Sequence, residues 1–491
     1  MSRINQNVSS LLAQRLASTN TRLLSATLER LSTGYRINRG SDDPAGLIVS
    51  ENLRGEMRGI SAAISNGERA GQFVNVAEGA LQEISNMLVE VQGLVGQSGN
   101  EAGMSAEERD ANQLQIDSIL SSIDRIANAT SFQGTKLLNG NFEYNLSGSY
   151  TAANGFADVT VNAARLSDAA GSTQAVTVTV TQSARTARAG ILLSAGGIIE
   201  NQGSGTVTIE VAGSRGAQQF SFASGTAAAN IITAINAFTD ATGISASLSG
   251  SNVRLNSTDF GSEAFVRARE VSNANVNTNF LTNTTAGAGQ EVSTKGRDAT
   301  VNINGVAATA RGLTARVALD GFDVSVTLIG SNTINAASQS RSFNITGGGA
   351  DFNLAPQVGL AGKVSIGLGS VTTAGLGDSV KGFLSELRSG GAASLGGGNL
   401  AKAQDIVSAA VGQVSSLRGR LGAFSKYVVD TSVNSLNVAF ENAAAAESAI
   451  RDTDFAAETA RLTRNKILQQ ASLQALALSN ELPRSVLKLL D

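Results

Sequence analysis

Two adjacent carboxylates, Asp42 and Asp43, lie in the stretch LSTGYRINRGSDDPAGLIVSENLRG (Leu31–Gly55). As a pair they could hold a metal ion. Two glycine-rich stretches, GLGSVTTAGLG (367–377) and GGGNLAK (396–402), could cradle a phosphate. Each has a plainer reading. Asp43 precedes Pro44, and Asp is a preferred helix N-cap while Pro suits the first helical position. The pair therefore reads as a turn and a cap. The first glycine-rich stretch lacks the third Gly of a dinucleotide loop. The second lacks the spacing and the Gly-Lys-Ser/Thr of a P-loop. Both read as flexible turns.

What is missing narrows the chemistry further. The 491 residues contain no His, no Cys and no Trp. Without His, triads built on Ser-His-Asp or Cys-His are excluded, and the commonest metal ligand is gone. Without Cys there is no disulfide or thiolate chemistry. We expect no enzyme activity, no cofactor and no metal. The net charge of -3 and an aromatic content of 4% argue against a nucleic-acid partner, which needs a basic face and stacking platforms. No run of 18 apolar residues exists, so no membrane span is expected. The first 30 residues carry Arg3, Arg15, Arg22 and Arg30 without a compact apolar core, unlike a cleaved secretory signal. Asn-x-Ser/Thr triplets at Asn7, Asn128, Asn145, Asn256, Asn283 and Asn344 are explained by composition.

The elements that frame the Asp pair are long and helical. Ile4, Val8, Leu11, Leu12, Leu16, Leu23, Leu24, Leu28 and Leu31 are spaced mostly by three, four or seven, one face of a helix. At the other end Leu468, Ala471, Ala475, Leu478, Leu482, Val486 and Leu489 approach a heptad seam. These two stripes are expected to pair with each other. Burial of one stripe does not offset the backbone entropy of ordering the segment, so further partners from other copies are expected on assembly. Thr33-Gly34 weakens the first helix, and Arg39–Asp43 joins it to the second as a hinge.

Further helices are predicted over Ala45–Gly99 and Ser105–Ala129, the latter opened by a Ser105/Glu108 capping box. Ala77, Ala80, Leu81, Ile84, Leu88, Val91, Leu94 and Val95 form one apolar face. Leu114, Ile116, Ile119, Leu120, Ile123 and Ile126 form another, and Ile406, Val407, Val411, Val414, Leu417 and Leu421 a third. These three helices would bundle. Between them, about 141–395, the texture turns to Gly, Ser, Thr, Asn and Val. Val207, Ile209 and Val211 alternate, as do Val324, Val326 and Leu328, which signals strands. Asn304-Gly305 suggests a tight hairpin. A helix over 226–239 would put Ile231, Ile235 and Phe238 inward with Thr226 as cap. Residues 382–400 read as a return linker. The fold class is α+β: long, coiled-coil-like terminal helices from both chain ends around β-rich inserted outer domains.

The sequence resembles bacterial flagellin. The resemblance rests on LSTGYRINRGSDDPAGLIVSENLRGEMRGI, VAEGALQEISNMLVEVQGLVGQSGN (76–100), IDRIANATSFQGTKLLNG (123–140) and the closing stretch AESAIRDTDFAAETARLTRNKILQQASLQALALSNELPRSVLKLLD (446–491). It spans roughly residues 1–140 and 405–491. Residues 205–271 resemble a repeat module of some flagellins and filament-cap proteins, and VSIGLGSVTTAGLG the family's return segment.

The resemblance implies a self-assembling structural subunit of the flagellar filament, extracellular and serving motility. Residues 1–44 and 451–491 would form the inner tube. Residues 45–175 and 400–450, a bundle with a β-hairpin, would form the outer tube and subunit contacts. Residues 176–399 would face solvent. The spoke motif would be Arg36, Asn38, Asp42, Asp43, Pro44 and Gly46. Implied partners are identical subunits in a helical filament, an export chaperone, the filament cap and the hook-junction proteins. Export would run through the flagellar type III channel. In enteric-type relatives the helix that includes Leu88, Glu90, Leu94 and Gln97 is read by a flagellin-sensing Toll-like receptor. Here Glu90 stands where a basic residue is expected, and Gln115 where an acidic one is, so weak or absent activation is expected. The nearest alternative is a hook–filament junction protein, which shares the terminal helices. A zinc peptidase in the insert would need His-Glu-x-x-His and is excluded. A glycan-binding insert is outweighed by a plain solvent-facing spacer.

Overall fold

The computed structural model describes residues 7–488 except 101–102, 149–150, 168–171, 194–196, 200–205, 274–280, 284–287, 290, 331–334, 337 and 398. The helices are α1 (Val8–Thr33), α2 (Pro44–Ser98), α3 (Ala106–Ala129), α4 (Ala228–Asn236), α5 (Thr239–Thr242), α6 (Leu400–Ala423), α7 (Asp430–Arg451) and α8 (Phe455–Lys488). The expected class holds: long helices at both ends enclose a β-rich middle. The chain divides into two compact units. One comprises residues 1–68, 354–358 and 429–491; the other comprises 69–353 and 359–428.

In the first unit α1 ends where the sequence weakens it. Gly34 adopts φ 76° and its N–H caps the carbonyl of Arg30, a left-handed C-cap that glycine takes without a Cβ penalty. The start of α2 packs on α7 through Ile60, Ala63 and Leu436. Gly67 lets the helices close: a Cβ there would lie 2.5 Å from Val433 Cγ2.

In the second unit the bundle faces are largely as expected. Leu81, Ile84, Leu88, Val91, Leu94 and Val95 of α2 are buried, as are Ile116, Leu120 and Ile123 of α3 and Ile406, Val407, Val414, Leu417 and Leu421 of α6. Leu114 is an exception at 68% exposure. Its place on the inward face of α3 is taken by Gln113, whose amide accepts from the N–H of Leu395 (2.8 Å) and donates to the carbonyl of Leu387 (2.8 Å). The Ser105/Glu108 capping box forms in both directions.

The β-rich middle of this unit is two antiparallel sandwiches, one inserted in the other. The outer-lying strands in sequence build the first. Its five-stranded sheet runs Val306–Ala307, Thr300–Ile303, Gln174–Gln182, Gln339–Gly347, Asn145–Gly148. Its four-stranded sheet runs Thr309–Arg311, Thr314–Leu319, Phe322–Leu328, Phe156–Ala164. Val176, Val178, Val180, Val301, Ile303, Val324, Val326 and Phe343 fill the space between. The boundary placed at residue 176 thus falls inside a strand, and residues 145–164 join the β core instead of the helical bundle. Asn304 (φ 52°) and Gly305 (φ 81°) turn the expected hairpin.

The second sandwich occupies 186–295. Its five-stranded sheet is built around Thr186–Ile191 and Asn252–Phe260, its four-stranded sheet around Thr206–Ala212 and Phe265–Asn273, with α4 against the core. It is larger than the predicted module of 205–271. The strands Thr186–Ile191 and Glu291–Lys295 pair with Asn252–Phe260 and Phe265–Asn273 and cover edges the shorter module would leave open. Its two connections meet at a narrow neck, where Arg185 and Arg297 exchange main-chain hydrogen bonds of 2.8 and 2.9 Å. α4 is shorter than predicted. Ile231 and Ile235 are buried, but Phe238 is 42% exposed and Thr226 bonds the carbonyl of Ala223 instead of capping.

The glycine-rich return segment is no flexible turn. Thr373 is held by the Asp124 carboxylate through its N–H (2.8 Å) and hydroxyl (2.9 Å). Gly377 trades hydrogen bonds with the Gln413 side chain (2.9 and 2.7 Å). Leu368, Val371, Thr373 and Leu376 are buried. Three buried apolar side chains and one buried, hydrogen-bonded threonine anchor what composition alone reads as loose.

Candidate assembly surface

α1 and α8 form an antiparallel pair. Asn7 Nδ2 donates to the Ser479 carbonyl (2.8 Å), Asn20 Nδ2 to that of Leu468 (3.2 Å), and Asn465 Nδ2 to Thr27 Oγ1 (2.9 Å). The pairing of the two ends is as expected; the seam is not. On α1 the residues that turn inward are Ser10, Ala13, Ala17, Asn20, Leu24, Thr27 and Leu31, half-buried or buried. On α8 they are Glu458, Leu462, Asn465, Gln469, Ser472, Leu476 and Ser479. Both sets step by three and four, the heptad of a coiled coil. The predicted stripe of Leu468, Ala471, Ala475 and Leu478 runs one residue earlier along α8, and all four are exposed. One residue is about 100° of rotation around an α-helix.

The reason is side-chain size and polarity. Ala13, Ala17, Ser472 and Ser479 let the two helices approach closely, and the Asn side chains fix the register by hydrogen bonds. Glu458 sits in the seam with its side chain 3% exposed, beside Arg461 (2.9 Å) and Arg30 (3.7 Å). A buried ionic or polar group at such a position specifies pairing more than it stabilises it. The large apolar residues are thereby left outside. Val8, Leu11, Leu12, Leu16, Leu23 and Leu28 on α1, and Ile467, Leu468, Leu473 and Leu478 on α8, are exposed. Leu12, Leu16 and Leu478 line a shallow groove of about 290 Å³ along the pair. Exposed apolar surface of this extent on paired helices marks an interaction site. Ile4 and Leu489 lie outside the described residues. Leu482 and Val486 are on the backbone of α8, and their side chains lie outside the description.

The residues expected to form the spoke make a compact knot between α1 and α2. Asp42 Oδ2 accepts from the N–H groups of Arg39 (2.9 Å) and Asn38 (3.1 Å). The Arg39 N–H holds its carboxyl below the ordinary value; slight burial opposes this, and the Asn38 N–H and the charges of Arg30 and Arg39 add to it. Asp43 Oδ1 caps α2 by accepting from the Gly46 N–H (2.9 Å), with Pro44 at the first helical position. Gly46 is required: a Cβ would meet Asp43 Oδ2 at 2.5 Å and Ile37 Cδ1 at 2.8 Å. Both carboxylates are thus occupied by backbone donors, as a turn and cap pair. Asn38 Nδ2 donates to the Tyr35 carbonyl (3.0 Å). The knot is tied to the chain's other end. Arg36 donates its N–H to the Arg451 carbonyl (2.7 Å) and its guanidinium to that of Ile450. The Thr453 N–H donates to Gly34 (2.9 Å), and the Arg451 guanidinium stacks 4.6 Å from the Tyr35 ring centre.

The residues that the resemblance assigns to receptor contact split into two groups. Leu88 and Leu94 are buried in the bundle core. Glu90 and Gln97 on α2 and Gln115 on α3 are exposed. The sequence reading missed Gln113, Asp117 and Asp124, which hold the return segment. Their signal is a polar residue at an inward α3 position, followed by acids four and eleven residues later.

Residues 4–143 match the family model of the bacterial flagellin N-terminal helical region. Residues 404–490 match that of the C-terminal helical region. The chain belongs to the flagellin family. A third match, the flagellin hook IN motif, covers residues 202–259 within the second sandwich. Among individual flagellins, flagellin E of Vibrio cholerae is 43% identical over 139 residues, 28% of this chain and 36% of that one. Flagellin FlaB1 of Treponema pallidum is 39% identical over 140 residues, 28% of this chain and 48% of that one. The matched part thus spans between about a third and a half of these relatives. Among solved structures, the flagellar cap protein FliD of Escherichia coli aligns at TM-score 0.29 and 15% identity, over 55% of this chain and 63% of that one. The junction protein FlgL of Legionella pneumophila aligns at 0.28 and 12%, over 82% and 99%. Scores this low decide nothing about this flagellin.

Proposed function

We propose that the chain is a structural subunit of the bacterial flagellar filament, working by self-assembly in swimming motility and not by catalysis. The observation that carries this is the apolar stripe of α1, Val8 to Leu28, turned away from its own partner helix. An open-ended helical array of identical subunits covers such a stripe on every copy without closing into a ring. On this reading residues 1–44 and 451–491 line the inner tube, and the knot at Arg36–Gly46 is the spoke to the outer tube. The helices within 45–175 and 400–450 make the subunit contacts, and the two sandwiches, built from strands between Asn145 and Gly347, face solvent. The filament cap and hook-junction proteins are its neighbours in the flagellum. An export chaperone binds the α8 segment before passage through the type III channel. Exposed Glu90 and Gln115 oppose recognition by the flagellin-sensing receptor.

The test is electron microscopy of purified monomer with short filament seeds, beside a chain lacking residues 1–30. Long filaments from the intact chain alone support the proposal. Failure of both to extend filament seeds, with binding of the intact chain to hook ends, assigns it to the junction instead.

A further inference from the structure

A sheet edge presents unpaired N–H and C=O groups that can recruit another strand, and natural chains blunt such edges with charge, with brevity or with a cover. Among the described residues of the second unit, four edge strands have more than four residues. Three of them are guarded. On Ile244–Ser249 the Asn236 side chain stands in for a neighbouring strand: its Oδ1 accepts from the Ala246 N–H (2.7 Å) and its Nδ2 donates to the Ala246 carbonyl (3.1 Å). Glu291–Lys295 carries an exposed charge at each end. Phe156–Ala164 is tied by the Gly367 N–H to the Asn162 carbonyl (2.7 Å) and by the Ser379 hydroxyl to that of Ala157 (2.7 Å).

The fourth, Ala217–Ala223, has none of these devices. It pairs with Thr206–Ala212 over its full seven residues without a bulge, and its other side is the edge of the sheet. Its sequence, AQQFSFA, holds no charge and no proline. Phe220 and Phe222 turn into the core, while Ala217, Gln219, Ser221 and Ala223 are exposed. Among the described residues, one hydrogen bond beyond the ladder reaches the main chain of 218–222, from the Gln218 amide to the Gln219 carbonyl (3.3 Å).

We propose that Ala217–Ala223 is a pairing edge for the same strand of a second copy, the two joined antiparallel so that two four-stranded sheets become one continuous sheet. Such a contact is two-fold and self-complementary. Side chains alternate between faces, so exposed residues meet exposed ones only when the axis passes through a residue. With the axis at Gln219, Phe220 or Ser221, the central exposed pair is Gln219 with Gln219, Gln219 with Ser221, or Ser221 with Ser221. No like charges oppose each other in any of these. An uncharged edge offers a foreign chain no electrostatic selection, whereas its own copy matches it in length, alternation and polarity. The occupant is therefore a second copy. An edge of this length buries far less than the roughly 1,600 Å² of a standard stable interface. Free chains thus pair briefly, and copies held side by side pair persistently.

The chain contains no Cys, so introduced thiols report alone. Full chains carrying Gln219→Cys, full chains carrying Ser221→Cys, and an equal mixture of the two cover the three registers. Residues opposed across an antiparallel pair lie within the Cα span that a disulfide bridges. In a thiol–disulfide buffer, at least one preparation should form interchain disulfide at least about tenfold faster than Ser293→Cys, because paired strands raise the effective concentration of the two thiols. Ser293 is an exposed site on the guarded strand Glu291–Lys295. Adding Ala217→Lys and Ala223→Lys, both at exposed positions, should return the rate to that of the control, with circular dichroism confirming an unchanged fold. Rates equal to the control in all three preparations, or rates unmoved by the lysines, overturn the proposal. The disulfide forms between free chains, so its outcome is separate from that of seeded filament growth.

Discussion

Replacing Leu11 and Leu16 with alanine separates the two roles that the terminal helices carry. Leu11 is 61% exposed and Leu16 51% exposed. Fully burying a leucine contributes about 1.5–3 kcal/mol. Scaled by the exposed fractions, the two together hold about 2–3 kcal/mol that only assembly can realise. Neither residue belongs to the α1–α8 seam, and exposed substitutions of this kind usually move monomer stability by less than about 0.5 kcal/mol. The double variant should therefore keep the helix content and melting temperature of the parent monomer. Its critical concentration for seeded growth should rise about 30- to 150-fold, at a factor of ten per 1.4 kcal/mol. Sedimentation of filaments against soluble monomer measures the second quantity, and circular dichroism the first. A monomer that loses helix while its critical concentration is unchanged refutes the reasoning. That result would mean the leucines hold the pair together and the polar seam is incidental.

Three further outcomes follow from the local geometry. Gly46→Ala, a change that ordinarily stabilises a helix interior by about 1 kcal/mol, should instead destabilise, because its Cβ lies 2.5 Å from the capping Asp43 carboxylate; denaturant unfolding reads the sign. Asp117 accepts from the Ser389 N–H (3.0 Å) and hydroxyl. Burial works to raise its carboxyl, but the Ser389 bonds, the Gln113 amide and Arg388 outweigh burial and leave it below its ordinary value. With the folded value below the unfolded one, its stabilisation is present above the unfolded pKa of about 3.9 and is lost as pH falls through the folded value. Thermal unfolding from pH 5 downward should show a shallower acid loss in Asp117→Asn than in the parent. Replacing residues 187–295 by a short glycine linker should leave seeded growth intact, since Arg185 and Arg297 already meet at the neck; electron microscopy of the shortened chain checks it.

Much of the fold was legible in sequence because its signals are local. The Ser105/Glu108 box, the Asp43-Pro44 start, the Gly34 stop and the Asn304-Gly305 hairpin each depend on a few adjacent residues, and each formed. The alternation at Val207–Val211 and Val324–Leu328 marked true strands. What failed depends on the partner. A stripe of leucines indicates which face is apolar, not which neighbour covers it, so the α8 seam was placed one residue early. Composition made residues 367–377 look loose, when Asp124 and Gln413, distant in sequence, pin them. The module read at 205–271 matches the family motif over 202–259, but not the full sandwich it belongs to, because the added strands Thr186–Ile191 and Glu291–Lys295 carry no sign in their own pattern of what they pair with.

The misplaced seam is itself informative about how such a chain functions. Had the leucines met inside the α1–α8 pair, the monomer would be stable and its surface polar, leaving little to drive growth. The seam instead uses Ala, Ser, Asn and Glu458, which fix register and direction at a small gain in free energy. The larger apolar surface is left on the outside, where under the proposed function further copies cover it. A pair specified by polar contacts and stabilised by neighbours is weak alone and firm in an array. The hydrogen bonds joining Arg36 and Gly34 to Arg451 and Thr453 keep the two helices in step at their base while their outer faces remain free to be covered. Assembly energy and pairing specificity thus occupy different faces of the same two helices, and a substitution on one face can be read without confounding the other.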